Sequence, residues 1–202
     1  MTPETFANHG QAWVWFEAEY PVLHAAIPLA AATGQTTHAW QLPWTLGEFF
    51  ERRGRWHDWA AAQHTALTAA RRGADRHGQA HAHLSLGRAC AWLGRYDEAH
   101  THIRQALGLF DELGDQIGQA DSHILLGGVF EQLGHPEEAL PHAQQALTQS
   151  RAADWRLGQA RALNNIGWYH ALLGDPHRPP PTAGSPSPCS ETSATAGERP
   201  SP

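Results

Sequence analysis

Between residues 80 and 113 apolar side chains recur every three or four positions. They run first as Ala80, Leu84, Gly87 and Ala91, and then, after Gly94-Arg95-Tyr96, as Ala99, Ile103, Ala106, Leu107, Phe110 and Leu113. That spacing places them along one side of an α-helix, so the segment predicts two helices joined by a short break. Gly94 is suited to end the first helix in a left-handed conformation, Asp97 to cap the second, and Gly114-Asp115 to close the unit.

The same arrangement returns along the chain at an offset of 40 residues. Gly47, Gly87, Gly127 and Gly167 coincide, each preceded by Leu46, Leu86, Leu126 or Ile166, and Gly54, Gly94, Gly134 and Gly174 coincide in turn. So do Ala66-Leu67, Ala106-Leu107 and Ala146-Leu147, and the triplet Gly-Gln-Ala at 78–80, 118–120 and 158–160. Recurrence at so many positions marks a tandem array of helix pairs. A mid-helix glycine costs about 1 kcal/mol relative to alanine, so the glycines at 47, 87, 127 and 167 need a reason. Close approach of the paired helix supplies one, with Ala99, Ala106, Ala139 and Ala146 as small partners.

Leu86-Gly87, Gly94, Tyr96, Ala99, Ile103 and Ala106 fall at the spacings of the tetratricopeptide repeat, which this chain resembles. The unit is longer than the usual one of that family and resembles its long-helix subtype. HEAT repeats have a similar length but lack the Leu-Gly signature. The resemblance implies an all-α, right-handed superhelix of antiparallel helix pairs. It divides the chain into an N-terminal helix pair over 1–36, an array over 37–174 and a Pro/Ser-rich tail over 175–202. The array comprises units 37–76, 77–116 and 117–156 and a half unit 157–174. Helices over 11–19 and 22–33 are expected to form the leading pair, and Pro28 predicts a kink or break.

Residues 12–23, 39–42 and 53–59 extend the resemblance to the repeat region of actinobacterial AfsR/SARP-type transcriptional regulators that carry an NB-ARC switch. By that likeness the array would be a regulatory or sensor arm. No Gly-x4-Gly-Lys-Ser/Thr loop and no DNA-reading module accompanies it, so neither ATP hydrolysis nor operator binding carries over.

Groove positions of tetratricopeptide proteins, transferred onto this alignment, give Gln41 and Glu48, His81 and Arg88, Asp121 and Gly128, and Arg161, Asn164 and Trp168, with Glu131 extending the third set. Mixed charge, amides and an indole suit a protein or peptide partner. The family's carboxylate clamp is not supported, because its sites hold Glu48, Arg88, Gly128 and Trp168.

Composition narrows the alternatives. A formal net charge of −6 leaves no general attraction for a phosphate backbone, so direct nucleic-acid binding is not expected. The longest apolar stretch, Val22 to Ala32, is interrupted by His24 and Pro28 and is too short to span a bilayer. With no secretory leader evident, a cytoplasmic protein is expected. Fifteen histidines raise metal binding, but His77 and His81, His81 and His83, or His100 and His102 do not offer three converging ligands, and no metal or other cofactor is expected. No nucleophile sits in a catalytic context, and Glu137-Glu138 reads as a helix start, so a non-catalytic interaction scaffold is expected.

Eight of the fourteen prolines fall in 175–202, which contains no Leu, Ile, Val, Phe or Trp and is expected to be disordered. Pro179-Pro180-Pro181 excludes the helix that should complete the fourth unit. Leu163, Ile166 and Trp168 are then expected to be uncovered. Self-association through that half unit, in a chain that is part of a larger regulator, is the alternative function.

Overall fold

The computed structural model describes residues 8–174, and the expected tail lies outside them. The described residues form α1 (His9–Ala32), α2 (Thr36–Thr45), α3 (Gly47–Arg52), α4 (Trp56–Arg72), α5 (Arg76–Trp92), α6 (Tyr96–Leu113), α7 (Gln116–Gln132), α8 (Pro136–Ala152) and α9 (Arg156–Gly174). Helices α5, α7 and α9 start at 76, 116 and 156, one repeat apart. Of these, α5 pairs with α6 and α7 with α8. In the first unit α2 and α3 together fill the slot of one helix, interrupted at Leu46, and pair with α4.

A finer period underlies the array. Residues 34, 54, 74, 94, 114, 134 and 154, one every 20 residues, all have positive φ. Glycine occupies five of these turns, where the left-handed conformation needs no Cβ to be accommodated. Ala74 (φ 51°) and Asp154 (φ 49°) hold the other two. Gly94, at φ 72°, ends its helix as expected. The caps differ from expectation. Asp97 lies inside the first turn of α6, whose cap residue is Arg95, and Asp115 belongs to the next helix, where its carboxylate accepts from the Gly118 amide at 2.9 Å. Asp75 does the same for α5, accepting from Gly78 at 2.8 Å. Each aspartate satisfies one amide left open at a helix start.

The expected N-terminal helix pair is not formed. Residues 9–32 are one helix that continues through Pro21 and Pro28, and in the 20-residue frame α1 holds the position of a second helix. Both prolines are exposed, so their rings meet solvent. The opposite side carries Phe16, Tyr20, Leu23 and Ile27 onto the core built by Leu46, Phe50 and Trp59. Burial of Ile27 and partial burial of Phe16, Tyr20 and Leu23, at up to about 1.5–3 kcal/mol each, oppose the cost of two interior prolines at about 3 kcal/mol each.

Glycine positions report how closely the helices meet. A Cβ on Gly87 would stand 2.4 Å from Cγ1 of Ile103 and 3.2 Å from the Ala99 carbonyl, the close approach the sequence predicts. At Gly127 the neighbours are Tyr169 and the Ala139 carbonyl, at 3.1 and 3.4 Å. Gly47 has only ordinary contact with Trp59, and Gly167 meets nothing within 4 Å among the described residues. The tightest sites belong to the Gly-Gln-Ala triplets. A Cβ on Gly78 would lie 2.6 Å from Trp40, on Gly118 2.3 Å from Phe110, and on Gly158 2.1 Å from Trp155. Those glycines admit an aromatic ring against the first turn of a helix.

The face formed by the first helices of each pair

Successive first helices touch: α2 meets α5, α5 meets α7, and α7 meets α9, whereas α4, α6 and α8 make no comparable contact with one another. Helices that approach more closely on one side curve the array toward that side. The first helices therefore line the inner face, and the residues transferred by family alignment lie on them.

Their environments differ. Asp121 on α7 accepts from Arg88 on α5 at 2.8 Å through one oxygen and from Arg161 on α9 at 3.0 Å through the other. The three side chains are only 19–26% exposed. Burial works to raise the Asp121 pKa, but the two guanidiniums outweigh it and hold the carboxyl below its usual range. Burial likewise works to lower Arg88, and Asp121 and Glu51 raise it on balance. The result is one ion-paired ladder across three repeats.

Trp168 donates its indole N–H to Glu131 at 2.9 Å, from α9 to α7. Glu131 is 2% exposed, so it stands within the inter-repeat contact. His81 stacks on Trp40 with ring centroids 5.4 Å apart and an interplanar angle of 6°, and Trp40 donates to Asp75 at 2.8 Å. Six of the nine transferred side chains, His81, Arg88, Asp121, Glu131, Arg161 and Trp168, are thus engaged with a neighbouring repeat. Sequence periodicity aligned them correctly as equivalents but carried no sign of their mutual bonds, which join residues 33 to 41 apart.

Gln41, Glu48 and Asn164 are exposed. Glu48 pairs with Arg52 at 2.8 Å in an open setting where such a pair contributes little. Gly128 faces open space. The inner face also holds a residue the alignment did not select: Trp44, 51% exposed, 5.4 Å from His81 and 6.5 Å from Trp40 between ring centroids. Gln41, Trp44 and Glu48 follow a three-to-four-residue spacing that puts them on one side. That spacing was the available signal for Trp44.

At the last unit, Ile166 and Trp168 are partly buried against Ala139, Ala143 and Tyr169, contrary to the expectation that they are uncovered. Leu163 is exposed as expected, and Leu157 and Leu173 are exposed elsewhere on α9. The only grouping of three metal-capable side chains found among the described residues, His135, Glu137 and Glu138, is exposed at the start of α8. No described helix is long and apolar enough to cross a membrane.

Residues 83–152 match the tetratricopeptide repeat family. No curated protein matches the sequence. Among solved structures, the crystal structure of BtubC (BKLC) from P. vanneervenii is similar in fold, with a TM-score of 0.55 at 15% identity, covering 85% of this chain and 81% of that one. The described residues accordingly form an all-α helical array whose central two helix pairs, over residues 83–152, match the tetratricopeptide repeat family.

Proposed function

We propose that the inner face is a docking surface for a protein or peptide segment, with the array acting as a non-catalytic scaffold. The observation that carries this reading is the division of labour on that face. Arg88, Asp121, Arg161, Glu131 and Trp168 hold adjacent repeats together, while Trp44, Gln41 and Asn164 remain presented and Gly128 leaves a gap between them. A rigid, internally bonded groove with an exposed indole limits the ordering cost of binding an extended segment.

The likeness to AfsR/SARP-type regulators supports a narrower reading. In it the face is the sensor or regulatory arm of a bacterial transcriptional regulator, working in the cytoplasm, with no nucleic-acid contact of its own. Panning a random peptide library against the full chain tests the docking surface. Selected peptides should lose at least tenfold in affinity on Trp44→Ala and keep it on Thr68→Ala, which alters an exposed position of α4. Equal loss on both, or on neither, would remove the inner face as the site.

A second reading, self-association through α9, is favoured by the exposure of three leucines along that helix, Leu157, Leu163 and Leu173. Light scattering over a concentration range decides it. A dimer abolished by Leu163→Glu supports it, and a concentration-independent monomer excludes it.

A further inference from the structure

The two helix pairs of the central repeats each close on a pair of imidazoles. Nδ1 of His83 on α5 lies 3.0 Å from Nδ1 of His102 on α6, and Nδ1 of His123 on α7 lies 2.9 Å from Nδ1 of His142 on α8. Positions 83 and 123, and 102 and 142, are each one repeat apart. Ring separations of 5.2 Å and interplanar angles of 36° and 35° repeat as well, so one device is built twice.

Two Nδ1 atoms at this distance share a single proton, one ring donating and the other accepting. Two imidazolium rings would bring hydrogen against hydrogen and charge against charge. In the first pair the wiring fixes the direction. Arg71 of α4 places Nη2 3.4 Å from Nε2 of His83. A guanidinium only donates, so His83 accepts at Nε2, carries its hydrogen on Nδ1, and donates to His102.

The surroundings oppose added positive charge. His64 and Arg71 of α4 act on the first pair, with Glu98 of α6 the opposing acid. Arg104 and His100 of α6 act on the second, and Phe130 stacks on His142 at 5.4 Å. Burial first, and next the partner imidazole for His83 and His142 and the neighbouring His and Arg side chains, lower the pKa of all four histidines, with His83 and His142 at about 4.

We propose that the two histidine pairs form an acid-sensitive latch: proton uptake breaks the Nδ1–Nδ1 contact inside both central repeats and loosens the array that carries the inner face. The sign follows from linkage. An imidazole whose basicity is depressed by folding binds protons more readily when unfolded. Its stabilising effect is therefore complete above the unperturbed value of about 6.5 and is lost as the pH falls toward about 4.

The test compares thermal unfolding of the full chain with that of a variant carrying His83→Asn, His102→Asn, His123→Asn and His142→Asn, at about pH 7.5 and about pH 5. The native chain should lose at least twice as much in midpoint temperature as the variant, and parallel losses would overturn the latch. Should the variant not fold, imidazole NMR of the native chain decides: titration of the His83 and His142 rings below about pH 5.5 supports the proposal, and titration near 6.5 overturns it. Zinc added at neutral pH supplies a third arm. A rise in the native midpoint that the variant lacks would make the pairs chelators rather than proton sites, and would also overturn it.

Discussion

Arg88 and Asp121 meet at 2.8 Å across the junction of two repeats. Because Asp121 also accepts from Arg161 one repeat further on, a single carboxylate bridges two partly buried guanidiniums. Asp121→Ala removes two charge-assisted bonds and leaves both cations beside each other. It is expected to cost about 2–4 kcal/mol in denaturant unfolding. The folded-state pKa of Asp121 is depressed. Its contribution is therefore present at neutral pH and is lost only as the pH falls through that lowered value. Between about pH 7 and pH 5 the loss of stability should come from the histidines instead.

Gly118→Ala is expected to destabilise the array by about 1–3 kcal/mol. The new methyl would stand 2.3 Å from the Phe110 ring, which is fully buried. Gly167→Ala should do the opposite, raising stability by about 0.5–1 kcal/mol, since its Cβ meets nothing within 4 Å among the described residues and alanine is the better helix former. Chemical denaturation of the two variants side by side checks both signs.

Ala74 adopts the left-handed conformation that Gly94 adopts one half-repeat later. Ala74→Gly is expected to stabilise the chain by about 0.5–1 kcal/mol, the relief of left-handed strain less the entropy glycine loses on folding. Gly94→Ala should destabilise it by a similar amount. Thermal midpoints of the two variants are the measurement.

The 40-residue period was legible because its markers are backbone requirements: turn glycines at 54, 94 and 134, and the close helix approach at Gly87. Requirements of that kind fix residue type locally, and so they recur visibly. The single helix α1 was not legible, because Pro21 and Pro28 are local signals for a break. What overrides them is the burial of Tyr20 and Ile27 against α2 and α4, which only the assembled array provides. The residues selected by alignment share the first helices of the pairs, but their environments differ. Alignment identifies equivalent positions, but whether Arg88 or Trp168 faces solvent depends on what the next repeat places opposite it. The histidine pairs did carry a signal, the recurrence of 83 at 123 and of 102 at 142, but they look unrelated when histidines are compared only with near neighbours in sequence.

The most direct measurement of the docking surface is the response of the tryptophan indole N–H resonances of the full chain to a selected peptide. The Trp44 signal should shift on binding, together with the side-chain amides of Gln41 and Asn164. Shifts confined to the outward residues of α4, α6 and α8, with Trp44 unmoved, would contradict recognition on the inner face.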